Sequence, residues 1–349
     1  MEHGGDLLSY KDYYKGELID YSSNINPLGP PNGLNKVLID SFENLEAYPD
    51  IKYRNLKNSI SNYLNCDENN VIVGNGAVEL IDNFIILANR VIVCTPSFLE
   101  YEKRGLIHGK EVIRVPYNDD FTIDILEIGN RIEKGDLLIL GNPNNPTGLR
   151  IDKIELIMIY NMIEKAEAHL LLDEAFFEFC PIDYDSIELF RQTNYENLGI
   201  IRAATKFFAL PGIRLGYGCT SKVLANMINN VELPWSVNSF AEAAGNFIFD
   251  DRDYIEESKG YIEDERKYIH QELSKLSNIK VYRTETNYIL IKLLKWDEEF
   301  VFKFFLKRGI VIRKCSSFAG LKENHIRVAI KSRENNIKLI KIFKELESV

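Results

Sequence analysis

Lys206 and Arg214 stand eight positions apart inside the otherwise apolar run AATKFFALPGIRLGYG, residues 203–218. Lysine and arginine are rarely buried unless they are paired or engaged in chemistry. A lysine in apolar surroundings loses part of its preference for charge, and a neutral amine attacks an aldehyde to form a Schiff base. An arginine close by neutralises a phosphate. An aldehyde carried on a phosphate describes pyridoxal phosphate, and four other segments offer the remaining contacts that such a group needs.

Ligands in open α/β sheets bind at the carboxyl ends of strands, so the loops that follow apolar runs are the informative places. GNGAVELI (74–81) follows one such run; its glycines allow close backbone approach, and a helix opening at Ala77 turns free N–H groups, with that of Gly76, toward an anion. On its own it reads equally as an ordinary strand-to-helix turn. In TPSFLEY (95–101), Phe98 can stack on a flat ring or simply pack. GNPNNPTG (141–148) has two prolines to fix its backbone, and the Asn145 amide can reach a phenolic oxygen. Turn-forming residues alone would make a surface loop, but eight of them in this order after an apolar run are a strong signal. In LLLDEAFFEF (170–179), Asp173 and Glu174 close an apolar strand. A carboxylate there either caps the next helix or answers a protonated pyridine nitrogen, which makes the ring a better electron sink.

These residues need elements to hold them. Buried strands are expected at 71–73, 90–94, 137–140, 170–172 and 199–202, rich in Val, Ile and Leu, with helices at 77–88, 98–108 and 152–167 between them. That alternation predicts an α/β fold with a mostly parallel sheet covered on both faces. Helical spacing also marks 34–46 and 53–64. After Asn238 a long helical stretch runs to about 276 with only Gly245 and Gly260 as interruptions, followed by strands at 280–282, 288–292, 310–312 and 326–330 and helices at 297–307 and 333–347. The expected organisation is an irregular arm over 1–35, a large domain over 36–245 and a smaller α+β domain over 246–349.

Bulk properties narrow the function. A chain of 349 residues, 45% hydrophobic and 27% charged, reads as an ordinary globular protein, and a net charge of −10 argues against a nucleic-acid surface. The five cysteines form no CxxC pair and have no metal-type spacing with the five histidines, so no metal is expected and a reducing, cytoplasmic setting fits. The N-terminus lacks the pattern of a signal peptide, and no apolar stretch approaches membrane-spanning length.

The order Asn145, Asp173, Lys206, Arg214, each near a strand end, resembles the fold type I pyridoxal phosphate enzymes of the aspartate aminotransferase superfamily. The resemblance implies that Lys206 carries the cofactor, that Asp173 pairs with its ring nitrogen and that Asn145 touches its ring hydroxyl. It also implies a phosphate cradle of Thr205, Arg214 and the backbone of Gly76 and Ala77. Tyr53, in YPDIKY (48–53), matches a tyrosine that reaches the neighbouring subunit's cofactor, so a homodimer with shared sites is implied. Two departures stand out: Phe176 replaces a ring-contacting tyrosine, and Ala203 replaces a Ser or Thr phosphate ligand.

Within that superfamily the chain is most similar to the histidinol-phosphate aminotransferase branch and, inside it, to the threonine-phosphate decarboxylases of cobalamin synthesis. HGG (3–5), SSNINPLGPP (22–31), TKFFALPGIRLGY (205–217) and LPWSVN (233–238) carry the likeness. The implied reaction is decarboxylation of a small phosphorylated amino acid, O-phospho-L-threonine; histidinol-phosphate transamination and O-phosphoserine decarboxylation are the alternatives. A catalytically dead interaction protein is disfavoured, because both the lysine and the aspartate are kept. For the substrate, Arg327 is a candidate clamp on the carboxylate and Arg313 on the phosphate, with His3 and Asn24 as further contacts. Exposed strand-end charge is the plainer reading of the two arginines.

Overall fold

The computed structural model describes residues 4–181 and 183–349. Two short strands, β1 (Ile19–Asp20) and its parallel neighbour over Ile310–Val311, tie the N-terminal arm to the C-terminal part of the chain. The central sheet has seven strands: β2 (Val71–Gly74), β3 (Arg90–Thr95), β4 (Glu111–Pro116), β5 (Leu137–Gly141), β6 (His169–Asp173), β7 (Leu198–Ala203) and β8 (Gly216–Thr220). They lie in the order β2-β8-β7-β6-β5-β3-β4. Pairing is parallel throughout, except that β8 runs antiparallel to both β7 and β2.

Strands buried on both faces favour apolar residues at every position, and β5 reads as an unbroken apolar run; β7 is interrupted by Arg202, whose charge is paired with Glu174. Alternate side chains feed different layers. Ile72, Val91, Val93, Ile139, Leu171 and Ile201 pack on one face, while Val71, Val73, Ile92, Leu138, Leu170 and Ile200 belong to the core on the other.

The single reversed strand sets up the site. The chain leaves β7 at Ala203 and re-enters β8 at Gly216, so residues 204–215 stay at the carboxyl rim of the parallel strands. β2 ends at Gly74 beside Gly216 on that same rim.

The C-terminal sheet is antiparallel, in the order β12-β13-β10-β9, with β9 at Ile279–Val281, β10 at Tyr288–Leu293, β12 at Arg313–Lys314 and β13 at His325–Ala329. The strand over Ile310–Val311 is β11.

Several expectations need correction. The helical stretch after Asn238 is two helices, Ser239–Ile248 and Arg252–Leu273, and neither glycine breaks it. The break lies where Asp251 accepts from the Tyr254 N–H (3.0 Å) and starts the second helix. Gly245 serves close packing: a Cβ there would lie 2.4 Å from Leu56 Cδ1. The helix expected over 34–46 stops at Asp40 and continues as a 3-10 turn over Ser41–Asn44. β4 and β8 were not foreseen. β4 is a half-exposed edge strand with no apolar run, and GYGCT in β8 has glycines where strand formers are expected.

Candidate active site

A cavity of about 470 Å³ opens at the carboxyl rim and takes side chains from both sheets and the arm. Asp173, the last residue of β6, forms part of its wall and is 7% exposed. Its Oδ2 accepts from the Tyr101 hydroxyl (2.8 Å) and its Oδ1 from the Ala175 N–H (3.0 Å). Burial raises its pKa and the two hydrogen bonds oppose that rise. Both donors are neutral, and no cation among the described residues forms an ion pair with this carboxylate.

Lys206 projects from the loop after β7 into the same cavity, with its Nζ 6.0 Å from the Phe176 ring. Burial, reinforced by the positive charge of Arg327, lowers its pKa to about 8; Asp20 pulls the other way. At neutral pH a useful fraction of this amine is therefore uncharged. Phe176 presents a bare ring to the cavity, itself held edge-on to Tyr288 (5.0 Å between centroids).

The putting together of an anion cradle depends on backbone. Gly76 has φ +81°, and a Cβ on it would lie 2.3 Å from Nη2 of Arg214, so only glycine leaves room for that guanidinium. The Gly76 N–H donates to the Gly74 carbonyl (2.8 Å) and is spent there. This corrects the expectation that it faces a phosphate; Ala77, first residue of the helix Ala77–Leu87, is the available backbone donor. Thr205, Arg214 and Phe98 line the same cavity.

The C-terminal sheet supplies two arginines. Arg313 on β12 and Arg327 on β13 are direct cross-strand partners, so both side chains leave the same face. They are 2% and 5% exposed, and both line the cavity. Arg313 donates to Ser317 Oγ (2.9 Å). Arg327 donates to Asn145 Oδ1 and to the Ser22 carbonyl (2.8 Å), while its buried Nε has no partner. Its contacts are neutral oxygens. Asn24 also lines the cavity, with its side-chain oxygen buried and unpartnered.

Most of the expected residues thus converge: Lys206, Asp173, Asn145, Thr205, Arg214, Ala77, Phe98, Asn24, Arg313 and Arg327 share one cavity. Tyr53 does not join them. It is buried in its own chain, where its hydroxyl accepts from the Val237 N–H (3.2 Å). His3 lies outside the described residues. Glu174, beside Asp173, is a structural residue: it pairs with Arg202 (2.9 Å) inside the protein. Residues the sequence reading missed are Tyr101, which holds Asp173, and Ser22 and Ser23 of the arm. Tyr101 closes the TPSFLEY segment; Ser22 and Ser23 open the SSNINPLGPP segment, and nothing in their types marks a role.

A family model for class I and II aminotransferases matches residues 16–343. The chain belongs to that family. Among class I and II aminotransferase relatives, a protein of Caldanaerobacter subterraneus subsp. tengcongensis named "Putative threonine-phosphate decarboxylase" is 40% identical, across 99% of this chain and 94% of its own. The threonine-phosphate decarboxylase of Salmonella typhimurium is 31% identical, across 97% of this chain and 94% of its own. Among solved structures, the histidinol-phosphate aminotransferase from Clostridium acetobutylicum superposes with a TM-score of 0.91 at 39% identity, covering 95% of this chain and 99% of that one.

Pyridoxal phosphate is the cofactor, and the cavity of this family member fits it. A buried carboxylate held only by neutral donors suits a protonated ring nitrogen, and a partly neutral lysine suits an aldehyde. The room kept for Arg214 at Gly76, next to a helix N-terminus, suits a phosphate.

Proposed function

We propose that this enzyme decarboxylates O-phospho-L-threonine to 1-aminopropan-2-yl phosphate, a step of cobalamin biosynthesis. The observation that carries the reading is the cross-strand pair Arg313 and Arg327 facing the cavity that holds Lys206 and Asp173. Like charges directly opposite each other destabilise a sheet, so the pair favours anionic ligands. An amino acid phosphate brings one anion for each arginine: the carboxylate to Arg327 and the phosphate to Arg313.

Lys206 would hold the cofactor through its amine, Asp173 would meet its ring nitrogen, Asn145 its ring hydroxyl, and Thr205, Arg214 and Ala77 its phosphate, with Phe98 available to pack on the ring. When bound, the cofactor supplies an electron sink for the pair left at the substrate's α carbon. Arg327, fixed by Asn145 and Ser22, orients the carboxylate, and that orientation decides which bond at the α carbon overlaps the sink. Phe176 and Phe98 keep water from the reacting carbon. Lys206, which lines the same cavity, would return a proton to that carbon through Nζ. Asn24 and His3 complete the substrate contacts in this reading.

The same reading makes the enzyme a cytoplasmic homodimer, divided into an arm (1–35), a large domain (36–245) and a small domain (246–349). All five cysteines are free, which fits a reducing compartment, and no helix among the described residues is long and apolar enough to cross a membrane.

The test is product analysis. Purified enzyme with pyridoxal phosphate should release CO2 from phosphothreonine with no 2-oxo acid present. A second reading, transamination of histidinol phosphate, draws on the 39% identity to the Clostridium acetobutylicum structure. Arg327 would serve that reading too, through the carboxylate of its glutamate co-substrate, so the assay decides: 2-oxoglutarate-dependent turnover of histidinol phosphate without CO2 release from phosphothreonine would overturn the first reading.

A further inference from the structure

Asp20 stands at the end of β1 and lies outside the set of residues lining the cavity, yet its carboxylate governs part of the wall. Oδ1 accepts from the Ser22 N–H (2.8 Å), the Ser22 hydroxyl (2.6 Å) and the Ser23 N–H (3.2 Å), and Oδ2 accepts from the Ser23 hydroxyl. One side chain therefore folds residues 22–23 into a fixed turn. The strand behind it is anchored on both sides: the Tyr21 N–H donates to the Val311 carbonyl (2.8 Å), and the Tyr21 carbonyl accepts from the Ala329 N–H (2.9 Å).

The turn makes two outward contacts. Ser22 Oγ accepts from the Gly5 N–H (2.8 Å), which ties Gly5, next to the cavity-lining Gly4, to the turn. The Ser22 carbonyl accepts from Arg327 Nη2 (2.8 Å), and Nη1 of the same guanidinium donates to Asn145 Oδ1. A continuous hydrogen-bonded path thus runs from Asp20 through Ser22 and Arg327 to Asn145, joining the arm, the C-terminal sheet and the loop after β5. Asp20 also carries negative charge near Lys206, Arg327 and Lys331, favouring the protonated form of each.

We infer that Asp20 is a positioning residue for the substrate carboxylate: it aims Arg327 by fixing the Ser22 carbonyl. The inference rests on the proposed reading of Arg327. Its signature is selectivity for a ligand group. Loss of Asp20 should weaken interactions with the carboxylate and spare those with the rest of the ligand.

The experiment compares holoenzyme variants on two ligands that differ only by that carboxylate, phosphothreonine as substrate and 1-aminopropan-2-yl phosphate as competitive inhibitor. For Asp20→Ala, kcat/KM for phosphothreonine should fall about tenfold, the size expected for one misaligned charge-assisted hydrogen bond, while the inhibition constant of the amine stays within about twofold. Asp20→Asn keeps an Oδ1 acceptor for the same three donors and should stay within about threefold of the parent on both ligands. Equal losses on both ligands, no loss on either, or an Asn variant as poor as the Ala variant would overturn the inference. If the parent enzyme fails to decarboxylate phosphothreonine and instead transaminates histidinol phosphate, the proposed function falls separately. The contrast is then read with glutamate against histidinol phosphate, and Asp20→Ala should impair glutamate alone.

Discussion

A lysine whose ammonium is less stable in the protein than in water has a measurable consequence at the level of one residue. Lys206 is pushed down to about 8 from the ordinary lysine value of 10.5, with burial as the main cause. Capture of added pyridoxal phosphate by the cofactor-free protein should therefore speed up about tenfold per pH unit below 8 and level off above it, because only the neutral amine reacts. Stopped-flow absorbance reads this directly, and a midpoint near the ordinary lysine value would refute it. The same depression makes the protonated lysine a cost to folding below about pH 8, a cost that fades as pH rises toward the unfolded value. At this scale the sequence was informative where chemistry demands a residue type: Lys206, Asp173, Asn145 and Arg214, singled out by their motifs, line one cavity. It was silent on Tyr101 and on the Arg327 to Asn145 contact. Those partners lie 72 and 182 positions apart, and only the packed fold makes them neighbours.

At the level of elements, the antiparallel entry of β8 is what lets Lys206 and Arg214 share a rim, since the loop between them both leaves and returns there. The tight turn at Gly76 completes the cradle. Gly76→Ala would set a methyl 2.3 Å from the Arg214 guanidinium and add strain at φ +81°. The guanidinium is the mobile partner and must move away. We expect the fold to survive at a cost of about 1–3 kcal/mol for the strained backbone, since Gly76 combines φ +81° with ψ 165°. Affinity for pyridoxal phosphate should drop about 10–100-fold, the worth of one charge-assisted contact of about 1.5–3 kcal/mol. Fluorescence titration of the cofactor-free variant checks both parts, with thermal melting as the control. Elements were legible where both faces are buried, because such a strand has an apolar centre, as in LLIL of β5, LLL of β6 and II of β7. They were illegible where burial is one-sided or where glycine replaces strand formers, as in β4 and β8. The break at 249–251 escaped notice because a capping aspartate, not a glycine, ends the apolar rhythm.

The whole molecule exposes more apolar surface in one region than isolated side chains explain. Phe42, Leu45, Tyr48, Leu233 and Trp235 are between 41% and 80% exposed, with the Tyr48 and Trp235 rings 4.7 Å apart. Exposed apolar clusters of this kind mark interfaces. They flank the segment where Tyr53 is held against Val237, which supports the proposed homodimer. Sedimentation velocity should find a particle near twice 40.3 kDa, and Trp235→Glu combined with Tyr48→Glu should shift it toward 40.3 kDa. A parent protein sedimenting as a monomer would remove the dimer from the proposal. In the sequence the proposed assembly rests on a family likeness at Tyr53 alone, because exposure is a property of the folded surface and not of residue order.

Lys206, Arg214, Arg313 and Arg327 gather in one chamber of a molecule that is otherwise strongly acidic, at a net charge of −10. Such a chamber does not distinguish sharply between the ligand it evolved to hold and any small oxyanion in the surrounding medium. Phosphate or sulfate in an assay buffer becomes a competitor for the guanidinium groups, and the strength of the enzyme measured at the bench is set partly by the salt chosen to dissolve it.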